Sequence, residues 1–331
     1  MRKLSICVGK TAERNDLPLS LELLDYTASA ILPVFFVIFI GVLLNKLGFF
    51  SQKTKDEIVK LVFYVGTPCL IFKNTSSADF HAIFDARFIG FTLALIAALI
   101  VLSIALCFFI KDPRKKASVV QTAYRSNFAI AGMPIAMNLM NEGGVALTAI
   151  TLSFVVLFYN VTAVTLLSYY CGKSKSPKSV ALGIVKNPLI IATFLGLIFS
   201  VFAIPLPKAV VSTVGYLGDI ASSMGLLTIG ATITLSGFKN DRGLILYSVF
   251  LRNVFAPVFI LVTAYLFGVR GDNLLVLAVM SSTPAAVNCF AMSKQMGADA
   301  EISAYGVSLT SIASIVSVFL AVYLVKALGL A

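Results

Sequence analysis

Ten stretches of predominantly apolar residues, separated by short connections, constrain this chain more than any other feature. They lie near residues 27–49, 58–72, 87–110, 118–140 and 143–170, then 188–204, 209–237, 244–268, 273–292 and 302–328. A helix of about 20 apolar residues matches the hydrocarbon core of a bilayer. Composition agrees, with 59% hydrophobic and 12% charged residues among 331 and a mean hydropathy of +0.95. The pattern predicts an all-α polytopic membrane protein with ten transmembrane helices. The net charge of +11 would suit a nucleic-acid partner, but Lys and Arg sit in short loops between apolar runs, not on one face of a domain. No nucleic-acid partner is expected.

The polar punctuation carries little chemistry of its own. Cys7, Cys69, Cys107, Cys171 and Cys289 lack the paired spacing of a disulfide framework or a zinc site, so no metal site is expected. His81, the single histidine, lies between Asp79 and Asp85 and reads as a solvated loop residue. Residues 1–26 form a mixed-charge N-terminal tail whose apolar run, Leu4 to Val8, is shorter than a signal-peptide core of about 7–15 residues.

The basic connection at 171–187 divides the runs into two fives, 27–170 and 188–331. The fives resemble each other: Gly41 follows Pro33 by eight residues in the first run, and Gly196 follows Pro188 by eight in the sixth. A repeat with an odd number of spans enters the membrane upside down the second time, which predicts two inverted five-helix repeats. Lys46, Lys53, Lys55, Lys60, Lys111, Arg114, Lys115, Lys116, Lys173, Lys175, Lys178, Lys186, Lys239, Arg242 and Lys294 fall on one side. The other side holds Lys73, Arg87, Lys208, Arg270 and Lys326, besides the basic residues of the tail. The positive-inside rule makes the first side cytoplasmic and places both termini outside the cytoplasm of a cell membrane.

Two runs interrupt themselves at matching places: Ser126-Asn127-Phe128-Ala129-Ile130-Ala131-Gly132-Met133-Pro134 and Ser282-Thr283-Pro284-Ala285-Ala286-Val287-Asn288. In hydrocarbon every backbone N–H and C=O needs an internal partner, so a broken helix persists there only inside protein or beside a cavity. Paired breaks in two halves point to the substrate site of a secondary carrier. Asn127, Gly132, Pro134, Pro284 and Asn288 are therefore the candidate substrate-binding residues; two Pro-kinked spans without a site are the plainer reading.

The ordered set of motifs resembles the auxin efflux carrier family, a branch of the bile/arsenite/riboflavin transporter superfamily, over nearly all of Ile31 to Leu328. The matching stretches are Leu32-Pro33-Val34-Phe35 with Gly41, Phe63-Tyr64-Val65-Gly66-Thr67-Pro68, the Asn127 to Pro134 break, Asn187-Pro188-Leu189-Ile190, Ile229-Gly230-Ala231-Thr232, and Thr283 to Asn288 running into Lys294-Gln295-Met296-Gly297. The short basic connection is similar to that of prokaryotic-type permeases. The resemblance implies a scaffold and a transport domain, fourth and ninth helices that are broken and cross near the midplane, and transport of small organic anions: an auxin-like acid, malate or malonate.

Three charged residues inside the runs have two readings each. Arg125 is a candidate substrate-binding cation, because an arginine in hydrocarbon costs about 3 kcal/mol unless paired or facing water; it is also close enough to the cytoplasmic end to snorkel. Arg252 reads more readily as an interfacial anchor or structural ion pair than as a substrate contact. Asp219 is either a proton-coupling carboxylate or the partner of an arginine. No cofactor is expected, coupling to H+ or Na+ is left open, and a homodimer is left open. An intramembrane enzyme is disfavoured: Gly218-Asp219 lacks the second carboxylate of an aspartyl protease, and His-Glu-x-x-His is absent. A channel or a ligand sensor with a carrier-like fold remains the alternative.

Overall fold

A computed structural model describes residues 36–37, 39–76, 85–172, 185–186, 188–232 and 235–330. The N-terminal tail, His81, Cys7 and most of the basic connection lie outside them. The described residues are helical throughout, apart from turns and one two-residue β-bridge.

Helix α1 spans residues 39–46. Next come α2 (Gln52–Leu61), a π turn (Val62–Gly66) and α3 (Thr67–Ser76); the helix runs through Gly66-Thr67-Pro68 without a break. The first half continues with α4 (Ala86–Leu106), α5 (Pro113–Tyr124), a π turn (Phe128–Gly132), α6 (Met133–Leu139) and α7 (Glu142–Cys171). The second half has α8 (Pro188–Val201), α9 (Lys208–Thr232), α10 (Leu235–Phe250), a π turn (Leu251–Phe255), α11 (Ala256–Leu266), α12 (Gly271–Ser282), α13 (Asn288–Met296) and α14 (Ala300–Ala327).

Local chemistry places the helix ends. Asp85, Asp112, Asn141 and Asp299 accept N–H bonds from the first turns of α4, α5, α7 and α14, satisfying donors that a helix start leaves free. Gly297, at φ 85°, ends α13 in the left-handed region open to glycine. Lys115 in the first turn of α5 reaches Asp241 at 2.7 Å, where α10 is kinked; the bond it donates to that carboxylate holds the ammonium above its ordinary pKa.

Five helical stretches among the described residues are long and apolar enough to cross a bilayer: Ala86–Leu106, Glu142–Cys171, Lys208–Thr228, Asn240–Leu266 and Ala300–Ala327. The other expected spans are shorter, interrupted or only partly described. Large apolar side chains cover the outside of the helices as well as the core. On α14 the outward stripe is Ile312, Val316, Leu320 and Tyr323, while Ser303, Ser311, Ser314 and Ser317 face inward; small inward residues let helices approach when lipid removes the hydrophobic force between them.

The helices sort into two bundles. One joins α2, α3, α8 and α9, with α1 pressed so closely on α9 that a Cβ on Gly41 would sit 2.1 Å from the Leu227 carbonyl oxygen. The other joins α4 to α7 with α10 to α14. They meet mainly where α13 packs on α2 and its π turn, α14 on α9, and α7 on α8. Each bundle takes helices from both halves of the chain.

Candidate functional site

The two breaks meet, but the first is shorter than the sequence suggested. It comprises Arg125 to Asn127, between the end of α5 and the π turn, whereas Gly132 and Pro134 belong to the helix that follows. Proline lacks an N–H and has φ fixed near the helical value, so it is suited to a first helical turn; Pro134 occupies that position in α6. Gly132 faces the Phe128 ring, which a Cβ would approach to 2.4 Å. The second break, Thr283 to Val287, does contain its proline, and Asn288 opens the helix beyond it.

Each break satisfies the other's backbone. Ser126 pairs antiparallel with Ala285: the Asn127 N–H donates to the Pro284 carbonyl at 2.8 Å, and the Ala286 N–H to the Arg125 carbonyl at 3.0 Å. The Ala285 N–H donates to Thr310 Oγ1 at 3.0 Å. This two-residue ladder replaces helical hydrogen bonds where no water is available to do so. It also fixes the chain polarity. The C-terminal ends of α5 and α12 arrive at the pairing, and the N-terminal ends of the Phe128 turn and α13 leave it.

Arg252 is fully buried and lies behind the pairing. Its guanidinium donates to the carbonyls of Thr283 at 2.9 Å, Ser281 at 2.7 Å, Met280 at 3.1 Å and Tyr124 at 3.2 Å. These oxygens belong to the ends of α12 and α5, each carrying about half a negative charge. Both readings of Arg252 as an interfacial anchor and as half of an ion pair are corrected: helix termini take the part of a carboxylate.

Arg125 has different surroundings. Its backbone leaves the helix at φ −87°, ψ 104°, and its side chain, only 3% exposed, donates to Asn160 Oδ1 and to the Met292 sulfur. It does not snorkel. Both partners are neutral, and among the described residues the ion pairs are Lys53–Glu57, Lys73–Asp219, Lys115–Asp241 and Lys294–Asp56, none of which involves Arg125 or Arg252.

A cleft opens beside Arg125, lined by Ser126, Asn127, Tyr159, Asn160, Ala286 and Asn288 from the larger bundle and by Leu70 and Ile71 of α3 from the smaller one. Asn160 lines the cleft although the sequence reading did not single it out; the signal was the polar pair Tyr159-Asn160 in the middle of the fifth apolar run. A guanidinium only donates, so the Asn160 oxygen must face Arg125 and the amide nitrogen must point away. That buried nitrogen has no hydrogen-bond partner among the described residues. Asn288 Oδ1 accepts from Thr67 Oγ1 at 3.4 Å and so ties α13 to α3 across the bundles.

Asp219 is not at the cleft. It lies on α9, its side chain is 70% exposed, and its nearest cation is Lys73 at 3.9 Å, not an arginine. The lysine reaches it past Gly215, where a Cβ would come within 3.3 Å of the Lys73 Nζ. The cleft thus holds Arg125, Asn127 and Asn288 of the expected residues, with Pro284 in the ladder behind them.

The profile of a family described as "Membrane transport protein" matches residues 26–178 and again 173–322, dividing the chain where its apolar runs fall into two fives. Among similar proteins, one of Rhizobium meliloti (strain 1021) named "Putative malonate transporter" is 24% identical over 304 residues, covering 89% of this chain and 95% of that protein. An uncharacterized transporter of Methanocaldococcus jannaschii is 22% identical over 298 residues, with 86% and 96% covered. Another, of Methanothermobacter thermautotrophicus, is 22% identical over 295 residues, with 88% and 96% covered.

Proposed function

Since the chain belongs to the membrane transport protein family, and is a multi-pass membrane transporter, we propose that it is a secondary carrier of a small carboxylate of the size of malonate or malate, bound at the cleft between its two bundles. The observation that carries this reading is Arg125: among the described residues it is a buried guanidinium with only neutral partners, at a cleft in which a second buried donor, the Asn160 amide, is unused. An isolated charge is costly at membrane depth. A carboxylate in the cleft offsets that cost, because it accepts from the guanidinium through a charge-assisted bond and from the Asn160 nitrogen as well. The N-terminal ends of the Phe128 turn and α13 each add about half a positive charge on the same side.

Alternating access then consists of the two bundles moving against each other. The Thr67–Asn288 bond, a polar tie between the bundles at the cleft, breaks and reforms as α3 passes α13. The arginine and the paired breaks stay together, since the ladder lies wholly within one bundle. The name of the Rhizobium relative supports malonate as the first substrate to try.

The test is purified full-length protein in liposomes, challenged with a panel of mono- and dicarboxylates under imposed proton and sodium gradients. Saturable uptake and counterflow of a carboxylate support the reading. Flux without counterflow would identify a channel, and no flux of any carboxylate would end the proposal.

A further inference from the structure

Among the described residues Arg252 is the buried charge that substrate binding does not use, and its position has a chemical meaning of its own. In carriers with broken helices, the C-terminal ends of half-helices and the unwound carbonyls beside them are the oxygens that coordinate a coupling cation such as Na+. Here the corresponding oxygens are those of Met280, Ser281, Thr283 and Tyr124, and every one of them accepts a hydrogen bond from the Arg252 guanidinium. The cation behind the paired breaks is covalently attached to the chain.

The local structure delivers it there. Arg252 lies in the π turn Leu251–Phe255, a local widening of the helix that occurs often at functional sites. The next residue holds the turn in place, because the Asn253 amide nitrogen donates to the Thr310 carbonyl at 3.2 Å and to Ser317 Oγ at 3.0 Å. The Ser317 hydroxyl in turn donates to the Ser282 carbonyl at 2.8 Å, so the last free oxygen at the end of α12 is also occupied. A guanidinium remains protonated throughout the accessible pH range, and unlike a bound ion it cannot dissociate with the substrate.

We propose that Arg252 is a resident cation standing where a carrier of this construction would bind a coupling cation, so that transport requires no Na+ behind the paired breaks. The proposal rests on the carrier reading above. Two consequences follow from the geometry. The wild-type protein is indifferent to Na+. Removing the guanidinium leaves four carbonyl oxygens around a vacated space, which an external cation can enter.

The experiment compares wild-type full-length protein with Arg252→Ala and Arg252→Lys, in choline chloride, sodium chloride and millimolar guanidinium chloride. Two quantities are read: the thermal midpoint in detergent, and malonate counterflow in liposomes. Wild-type counterflow is expected to agree within about twofold between choline and sodium, with an unchanged midpoint. Arg252→Ala should lose about tenfold or more of its counterflow in choline, with a lowered midpoint, and recover on addition of guanidinium or Na+. A wild-type counterflow that rises about tenfold when Na+ replaces choline overturns the proposal, as does an Ala variant whose midpoint responds to neither cation. Where the Ala variant does not fold, Arg252→Lys replaces it; that variant keeps a cation and must stay indifferent to Na+. If no carboxylate is exchanged by wild-type protein in any salt, the carrier reading fails, while the midpoints still decide the cation site.

Discussion

Arg125 and Arg252 are both buried arginines beside the same pair of helix breaks, and their surroundings give them different tasks. Arg252 is saturated by backbone carbonyls, whereas Arg125 meets an amide oxygen and a sulfur. A lost hydrogen bond to a charged group is worth about 1.5–3 kcal/mol, so Arg125→Gln should lower carboxylate counterflow by about tenfold or more while folded yield after purification stays near that of wild type. An equal loss of both would make Arg125 structural. At the neutral positions the effect is smaller. Asn127→Ala and Asn288→Ala should each reduce transport more than folded yield, in keeping with about 1–2 kcal/mol for a buried hydrogen bond; unchanged transport kinetics in both variants would remove them from the site. For Asp219, exposed and loosely paired with Lys73, the decisive substitution is Asp219→Asn. A proton-coupling role requires it to abolish accumulation driven by a pH gradient and to spare exchange; retained accumulation excludes that role.

At the scale of elements, two prolines in similar sequence settings do opposite things. Pro284 stands in a break, with its carbonyl taken by the other break, while Pro134 begins a helix. What separates them is the presence of a partner strand: Ser126 and Ala285 face each other, and nothing equivalent pairs with the residues around Pro134 among those described. Helix contacts are similarly specific at Gly41. Its missing Cβ admits the Leu227 carbonyl, so Gly41→Ala must push α1 off α9, with a cost of the order of 1–3 kcal/mol for overpacking. Gly90, with nothing near the position of its Cβ, is the control. The thermal midpoint in detergent should fall for Gly41→Ala and stay level or rise for Gly90→Ala; equal midpoints would contradict the close packing of α1 on α9.

For the whole molecule, the two bundles each draw helices from both halves of the chain. Loop charge predicts the orientation, which labelling tests. In a background without native cysteines, a cysteine at Ser176 should react with a membrane-impermeant thiol reagent only from the cytoplasmic side, and one at Ala331 only from outside. The reverse pattern would invert the topology, and labelling of both from one side would contradict an odd number of spans, five, between the two positions.

The sequence by itself determined that this chain lives in a bilayer, that it divides near residue 172, and that two of its apolar runs are interrupted, because length, hydropathy and helix-breaking residues are local properties whose cost in hydrocarbon does not depend on the rest of the fold. Arg125, Asn127 and Asn288 were legible for that reason. Asn160 was not, because a polar residue in an apolar run acquires meaning only from what faces it, and it was α7 packing on α5 that brought it to Arg125. The same holds for Arg252, whose partners are carbonyls that any residue possesses, and for Asp219, whose partner is Lys73 because α3 lies against α9. Tertiary structure alone decided which break residues pair, which arginine is satisfied and which is left with neutral partners, since hydrogen-bond saturation of a buried charge is a property of several distant segments at once.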